Sequence, residues 1–246
     1  MKFKHLTLAA IAIFTFSSVF SQQTVKITPS GIGYLQYLPK GYNTNNNRYP
    51  VVISLHGIKE KGTTSTDPAK IKAGVAKVAN VGLPKYVKNG KQYPFILISP
   101  QLKSNHGRWT TAYILDVLNY VKKTLRVDAS RVYLTGLSLG GFGVWTAVGD
   151  RPDVFAAVLP ICPGGNALTK AQRIAAERVP TWGYHGGADN IAPYTITTKM
   201  TTAVNKYNPN PKAKATIFPG ANHIIWDRVY LQTNALNWML SFRNTN

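Results

Sequence analysis

Acidic residues are scarce in this chain: 9 Asp and Glu face 29 Lys and Arg over 246 residues, for a formal net charge of +20. Cysteine is nearly absent. Cys162 stands alone, so no internal disulfide can form. No Cys cluster and no H-E-x-x-H pattern exists, so no metal or cofactor is expected. No long apolar run follows Phe20, which leaves no candidate for a second membrane-length segment. No internal repeat is found, which argues against a solenoid. The basic residues are scattered, and no helix-turn-helix, zinc-finger or RNA-binding signature accompanies them. A specific nucleic-acid partner is therefore not expected. Anionic polymers are the partners such a surface favours.

What is present begins with the first 21 residues. Lys2, Lys4 and His5 form a basic start, Leu6 to Phe20 is apolar, and Ser21 is small. This reads as a secretory signal peptide cleaved near Ser21, with residues 22–246 as one domain, secreted or periplasmic. The apolar run is shorter than the ~20 residues of a membrane span. Without Lys2 and Lys4, 27 basic residues against 9 acids would leave +18. A monomer is expected, and about 225 residues suffice for a full core.

Short apolar runs then alternate with helical patterns. Strand-like pieces are Thr24 to Thr28, Tyr34 to Leu38, Val51 to Leu55, Phe95 to Ser99, Val132 to Thr135, Ala156 to Ile161, Thr181 to His185 and Ala213 to Phe218. Helices are expected over Thr110 to Leu125, Gly140 to Gly149, Lys170 to Arg178, Tyr194 to Tyr207 and Arg228 to Phe242. Such alternation implies an α/β fold: a mostly parallel sheet with helices on both faces. Ligands of such sheets bind beyond the carboxyl ends of the strands. Only residues 162–179 separate two successive strand runs, and half of them are helical, which leaves no room for a large lid.

Gly136-Leu137-Ser138-Leu139-Gly140 matches G-x-S-x-G between a strand and a helix, the context in which a sharp turn exposes a nucleophilic serine. Serine needs a base. Of five histidines, only His185 and His223 follow Ser138, and the order along the chain at such sites is Ser, acid, His. His223 sits past the last strand and is the expected base, whereas His185 ends a strand and is expected to be buried or to shape the site. Asp150, Asp153, Glu177 and Asp189 lie between serine and base. Asp189 alone follows a strand end, so it is the expected acid. The oxyanion donors are expected to be the backbone N–H groups of Leu139 and Ile58. His56, beside Ile58, is placed among the substrate-lining residues. Cys162 is read as a buried structural thiol.

The stretches Leu55-His56-Gly57, Ser99-Pro100-Gln101, Arg108-Trp109-Thr110, Arg131 to Ser138, Trp182 to Gly186 and Gly220 to His223 resemble secreted carboxylesterases known as predicted peptidases. These belong to the α/β-hydrolase superfamily and are similar to dienelactone hydrolases, polyhydroxybutyrate depolymerases and feruloyl or acetyl-xylan esterases. The resemblance implies Ser138, Asp189 and His223 as the triad, and Gln101, Trp109 and Trp226 near the substrate. For Trp109 and Trp226, site-lining and structural roles both stay open. Two departures stand out: Ile224, not an acid, follows His223, and Ile58-Lys59-Glu60-Lys61-Gly62 replaces His-Gly-small-Gly after Gly57. The expected chemistry is ester hydrolysis through an acyl-enzyme, with polysaccharide-attached acyl groups among the substrates. A base must be neutral to act, so activity is expected to fall below roughly pH 6 to 7, the ordinary imidazole range. A peptidase using the same triad, and a noncatalytic binder of acidic glycans, are the alternatives.

Overall fold

A computed structural model describes residues 23–245; the expected signal peptide lies outside them. Eight strands form one sheet in the order β1-β2-β4-β3-β5-β6-β7-β8. They are β1 (Thr24–Ile27), β2 (Gly33–Tyr37), β3 (Tyr49–Leu55), β4 (Ile96–Pro100), β5 (Val127–Leu137), β6 (Ala157–Ile161), β7 (Trp182–Gly186) and β8 (Lys214–Phe218). β2 runs antiparallel to both its neighbours, β1 and β4, whereas β3 to β8 pair parallel with one another. All eight expected strand positions are occupied.

The inner parallel strands are buried on both faces, unlike the edge strand β8, and their alternation decides which face each residue serves. Val51, Ile53 and Leu55 of β3 join one core with Ile96 and Ile98 of β4; Val52 and Leu97 point into the other. Helices α3 (Thr111–Thr124), α4 (Leu139–Asp150), α5 (Ala171–Ala176) and α6 (Thr195–Asn205) supply apolar stripes to the first core. The second is closed by α2 (Gly82–Lys88), α7 (Trp226–Gln232) and α8 (Ala235–Leu240). α3 forms where Ile114, Val117, Leu118 and Val121 recur at helical spacing, and the Thr110 hydroxyl caps it by accepting from the Tyr113 N–H.

Two helices lay outside the periodic reading. α1 (Pro68–Val75) announces itself by local chemistry: Asp67 caps it and Pro68 fills its first turn. α2 follows after a 3-10 turn over Ala76–Asn80. The helix expected over Arg228 to Phe242 is instead two, because the Thr233 hydroxyl accepts from the Ala235 N–H and starts α8 afresh. Among the described residues, no helix is long and apolar enough to cross a membrane. Between β6 and β7 the helical cover amounts to α5 and one short 3-10 turn, so no large lid is built there.

β3 is flanked by β4 on one side and β5 on the other, so consecutive crossovers leave it in opposite directions. That reversal opens a crevice at the carboxyl ends of β3 and β5, the place where such sheets bind ligands.

Candidate active site

Ser138 stands at the turn from β5 into α4, at that crevice. Its backbone lies at φ 55°, ψ −115°, a conformation non-glycine residues rarely hold. The turn is over-determined by its neighbours. The Ser138 N–H donates to the Ile161 carbonyl at 2.9 Å, and the Ser138 carbonyl accepts from Phe142 and Gly164, each at 3.1 Å. The flanking glycines answer to space. A Cβ on Gly136 would sit 2.5 Å from the Gly140 carbonyl, and one on Gly140 would overlap the carbonyl of Leu55. Only backbone-close packing of α4 on β3 permits so tight a turn.

Asp189 lies on the loop after β7 and His223 on the loop after β8. The structure brings them together: His223 Nδ1 donates to Asp189 Oδ2 at 2.6 Å. The Asp189 carboxylate is fully enclosed, and its Oδ1 accepts from the Ile191 and Ala192 N–H groups, each at 2.9 Å. Burial opposes ionisation, but the hydrogen bonds from Ala192, His223 and Ile191 outweigh it and hold the carboxyl below its usual range. The other acids are committed elsewhere. Asp150 binds the Thr111 hydroxyl and Lys170, and Asp153 binds Arg151.

With Nδ1 donating to Asp189, the other ring nitrogen of His223 is the one left for a serine hydroxyl. Among the described residues no hydrogen bond joins Ser138 to His223. Such bonds are often long in unliganded sites and tighten when substrate binds. The two groups share one rim all the same. Ser138 and Cys162 follow paired ends of β5 and β6, and donor atoms of Cys162, Asp189 and His223 all lie within 4.8 Å of one another.

Leu139 opens α4, and its N–H has no hydrogen-bond partner among the described residues; neither has that of Ile58. The loop carrying Ile58 passes beside the serine, for a Cβ placed on Gly57 would lie 3.6 Å from Ser138 Cβ. Three exposed isoleucines mark the loops around the site: Ile58, Ile191 and Ile224 are 63%, 73% and 64% exposed.

Of the four residues expected to line the substrate, three serve the scaffold. His56 is buried, donates from Nδ1 to the Gly57 carbonyl at 2.6 Å, and accepts the Leu102 N–H on Nε2 at 3.0 Å. Burial drives its pKa down to about 4, so it stays neutral. Gln101 donates from Nε2 to the carbonyls of Glu60 and Gly74, at 2.8 and 2.7 Å, and so clips the loop after β3 to α1. Trp109 is 1% exposed; its indole N–H donates to the His56 carbonyl at 3.2 Å, and its ring meets His56 edge-on. Each polar atom is spent on a loop that holds the rim, which a motif cannot reveal. Trp226 differs: it is partly exposed and stands edge-on to the His223 ring, with centroids 6.0 Å apart.

Two further residues, both buried as expected, meet the acid. His185 touches the Asp189 carboxylate, and Cys162 lies beside it with a thiol pushed up to about 12 by burial and by that carboxylate. His-Gly-Gly-Ala-Asp was the signal for the first, since it puts both residues on one strand end. For the second no local signal exists. Among the described residues, Cys162, Asp189 and His223 form the one group of three metal-capable side chains, and two of them already bond to each other.

Because Gln101 donates to two partly buried carbonyls, each bond worth about 0.5–1.5 kcal/mol, Gln101→Ala should cost about 1–3 kcal/mol of stability. It touches no reacting atom, so kcat should fall less than tenfold. Urea unfolding together with steady-state kinetics checks both.

The sequence is 30% identical over 108 residues to a bifunctional acetylxylan esterase/xylanase from Neocallimastix patriciarum, covering 41% of this chain and 15% of the relative. It is 27% identical over 167 residues to poly(3-hydroxyalkanoate) depolymerase C from Paucimonas lemoignei, covering 60% and 36%. The chain thus spans well under half the length of these curated relatives. Among solved structures, a thermostable esterase superposes with a TM-score of 0.68 at 26% identity, over 91% of this chain and 63% of that one. The fold is that of the α/β-hydrolases. A family model for esterases, described as "Putative esterase", matches residues 26–214, and the chain belongs to that family.

Proposed function

We propose that this protein is a secreted serine esterase that hydrolyses carboxylic esters by acyl transfer, with Ser138 as nucleophile, His223 as base and Asp189 as acid. One observation carries the reading. A serine in a strained strand-to-helix turn shares a sheet rim with an imidazole whose Nδ1 is anchored to an enclosed carboxylate.

The chemistry follows from those roles. His223 takes the Ser138 proton as the hydroxyl attacks the ester carbonyl. The imidazolium so formed is stabilised by Asp189, which stays ionised. The N–H groups of Leu139 and Ile58 receive the oxyanion. His223 returns the proton to the leaving alcohol, then activates the water that frees the acyl group.

Acyl groups attached to a polymer are the proposed substrates. Among the described residues no large lid covers the site, and relatives named for acetylxylan and poly(3-hydroxyalkanoate) point the same way. A groove of about 350 Å³ is lined by Phe142 of α4, Asn166 and Arg108, among others. Phe142 links the groove to the nucleophile's turn, since its N–H donates to the Ser138 carbonyl. Hydroxyls of Thr110, Thr146 and Thr169 add sites suited to sugar. Residues 1–21 would be removed on export, and the basic surface would then hold the enzyme to anionic polymers.

A serine-directed fluorophosphonate should label Ser138, and p-nitrophenyl acetate should be hydrolysed far faster than the matching anilide. Faster anilide cleavage would turn the reading to a peptidase. Salt-dependent glycan binding without labelling would leave a noncatalytic binder.

A further inference from the structure

We propose that His185 is a positioning residue for the catalytic acid, holding the Asp189 carboxylate and its loop in the one orientation that lets it serve His223. This deepens the esterase reading and rests on it.

His185 is the penultimate residue of β7 and is completely buried. Its Nε2 lies 2.9 Å from the Ala192 carbonyl and 3.0 Å from Asp189 Oδ2, the oxygen that also receives His223 Nδ1. Two acceptors face Nε2, so Nε2 carries the proton. Nδ1 is then an acceptor, and the Thr197 hydroxyl donates to it at 2.8 Å. Thr197 belongs to α6 and is itself fully buried. The imidazole therefore has a single tautomer, set from behind by a helix.

The arrangement closes a ring. His185 holds the Ala192 carbonyl, and the N–H of Ala192 holds Asp189 Oδ1. One imidazole thus ties α6, the loop 189–192 and the far side of the carboxylate together. Its neutrality matters. A cation there would compete with the His223 imidazolium for the same oxygen. Burial keeps the His185 pKa below the usual imidazole range. The titratable groups facing Asp189 are His185, His223 and Cys162, the last from the end of β6.

His185→Phe keeps the ring volume and removes the N–H. It should lower kcat on the order of 10- to 100-fold while KM changes less than twofold, as expected when a catalytic group is misplaced. A poorly held carboxylate stabilises the imidazolium less, so the acid limb of kcat should move to lower pH. The downfield proton signal of the short His223–Asp189 bond should broaden or vanish. His185→Gln, which can donate to both acceptors, should recover most of the rate. Thr197→Val, nearly isosteric, should shift the same readouts less, which covers the case in which the phenylalanine variant fails to fold. A lowered kcat with an unmoved acid limb and an unchanged downfield signal in both variants would reduce His185 to packing and overturn the proposal. The titration of His223 and the downfield proton need no turnover. If the wild-type protein cleaves no ester, the functional reading fails while these signals still judge His185.

Discussion

Ser138→Ala should abolish ester hydrolysis, lowering kcat on the order of 10⁴-fold or more while the protein folds as before. Two features make this variant clean. The Ser138 hydroxyl has no hydrogen-bond partner among the described residues, so no internal contact is lost. Alanine carries the same Cβ, so the strain at φ 55° is unchanged. Stability should therefore stay within about 0.5 kcal/mol, as for a surface substitution. The remaining rate would come from oxyanion donors and binding alone. Thermal unfolding alongside p-nitrophenyl acetate kinetics separates the two quantities. Undiminished turnover in the alanine variant would remove Ser138 from the mechanism.

Asp189→Asn should cost about 10⁴-fold in kcat, because the side chain then presents an amide N–H where His223 Nδ1 needs an acceptor. The imidazole would turn to its other tautomer and lose the nitrogen that accepts the serine proton. KM should move little. A second effect follows from the depressed Asp189 pKa. A carboxyl held below its unfolded value stabilises the fold fully above that value, near 3.9 for Asp. That contribution is lost as pH falls through the lower folded value. The wild-type advantage in Tm over Asp189→Asn should thus be constant near neutrality and shrink below about pH 4. Melting curves between pH 7 and pH 3 test this; a gap that widens on acidification would contradict the assignment of a depressed carboxyl.

Much of the architecture is written locally. Continuous apolar strands such as Val51 to Leu55 have no solvated face, so they announce a doubly covered sheet. α3 is legible because one stripe recurs at helical spacing. α1 and α2 were not, because short amphipathic helices lack a long enough window for periodicity, and only Asp67-Pro68 marks a start. Thr233 divides the final helix by a single hydroxyl, which periodicity averages away.

The candidate site divides along the same line. Ser138 was legible because its turn demands Gly136 and Gly140 two residues to either side, a constraint carried within five positions. Asp189 and His223 were legible as residues on the loops just past strands, since carboxyl strand ends converge by topology. What the chain alone could not decide was the use of each polar atom. His56, Gln101 and Trp109 carry groups suited to substrate, yet each bonds to backbone up to 53 residues away. The direction in which a side chain points depends on partners that only packing assembles. For the same reason His-Gly-Gly-Ala-Asp could place the second histidine near Asp189 but not assign its contact: sequence sets which groups stand at a strand end, and the tertiary structure alone decides which of them share an oxygen.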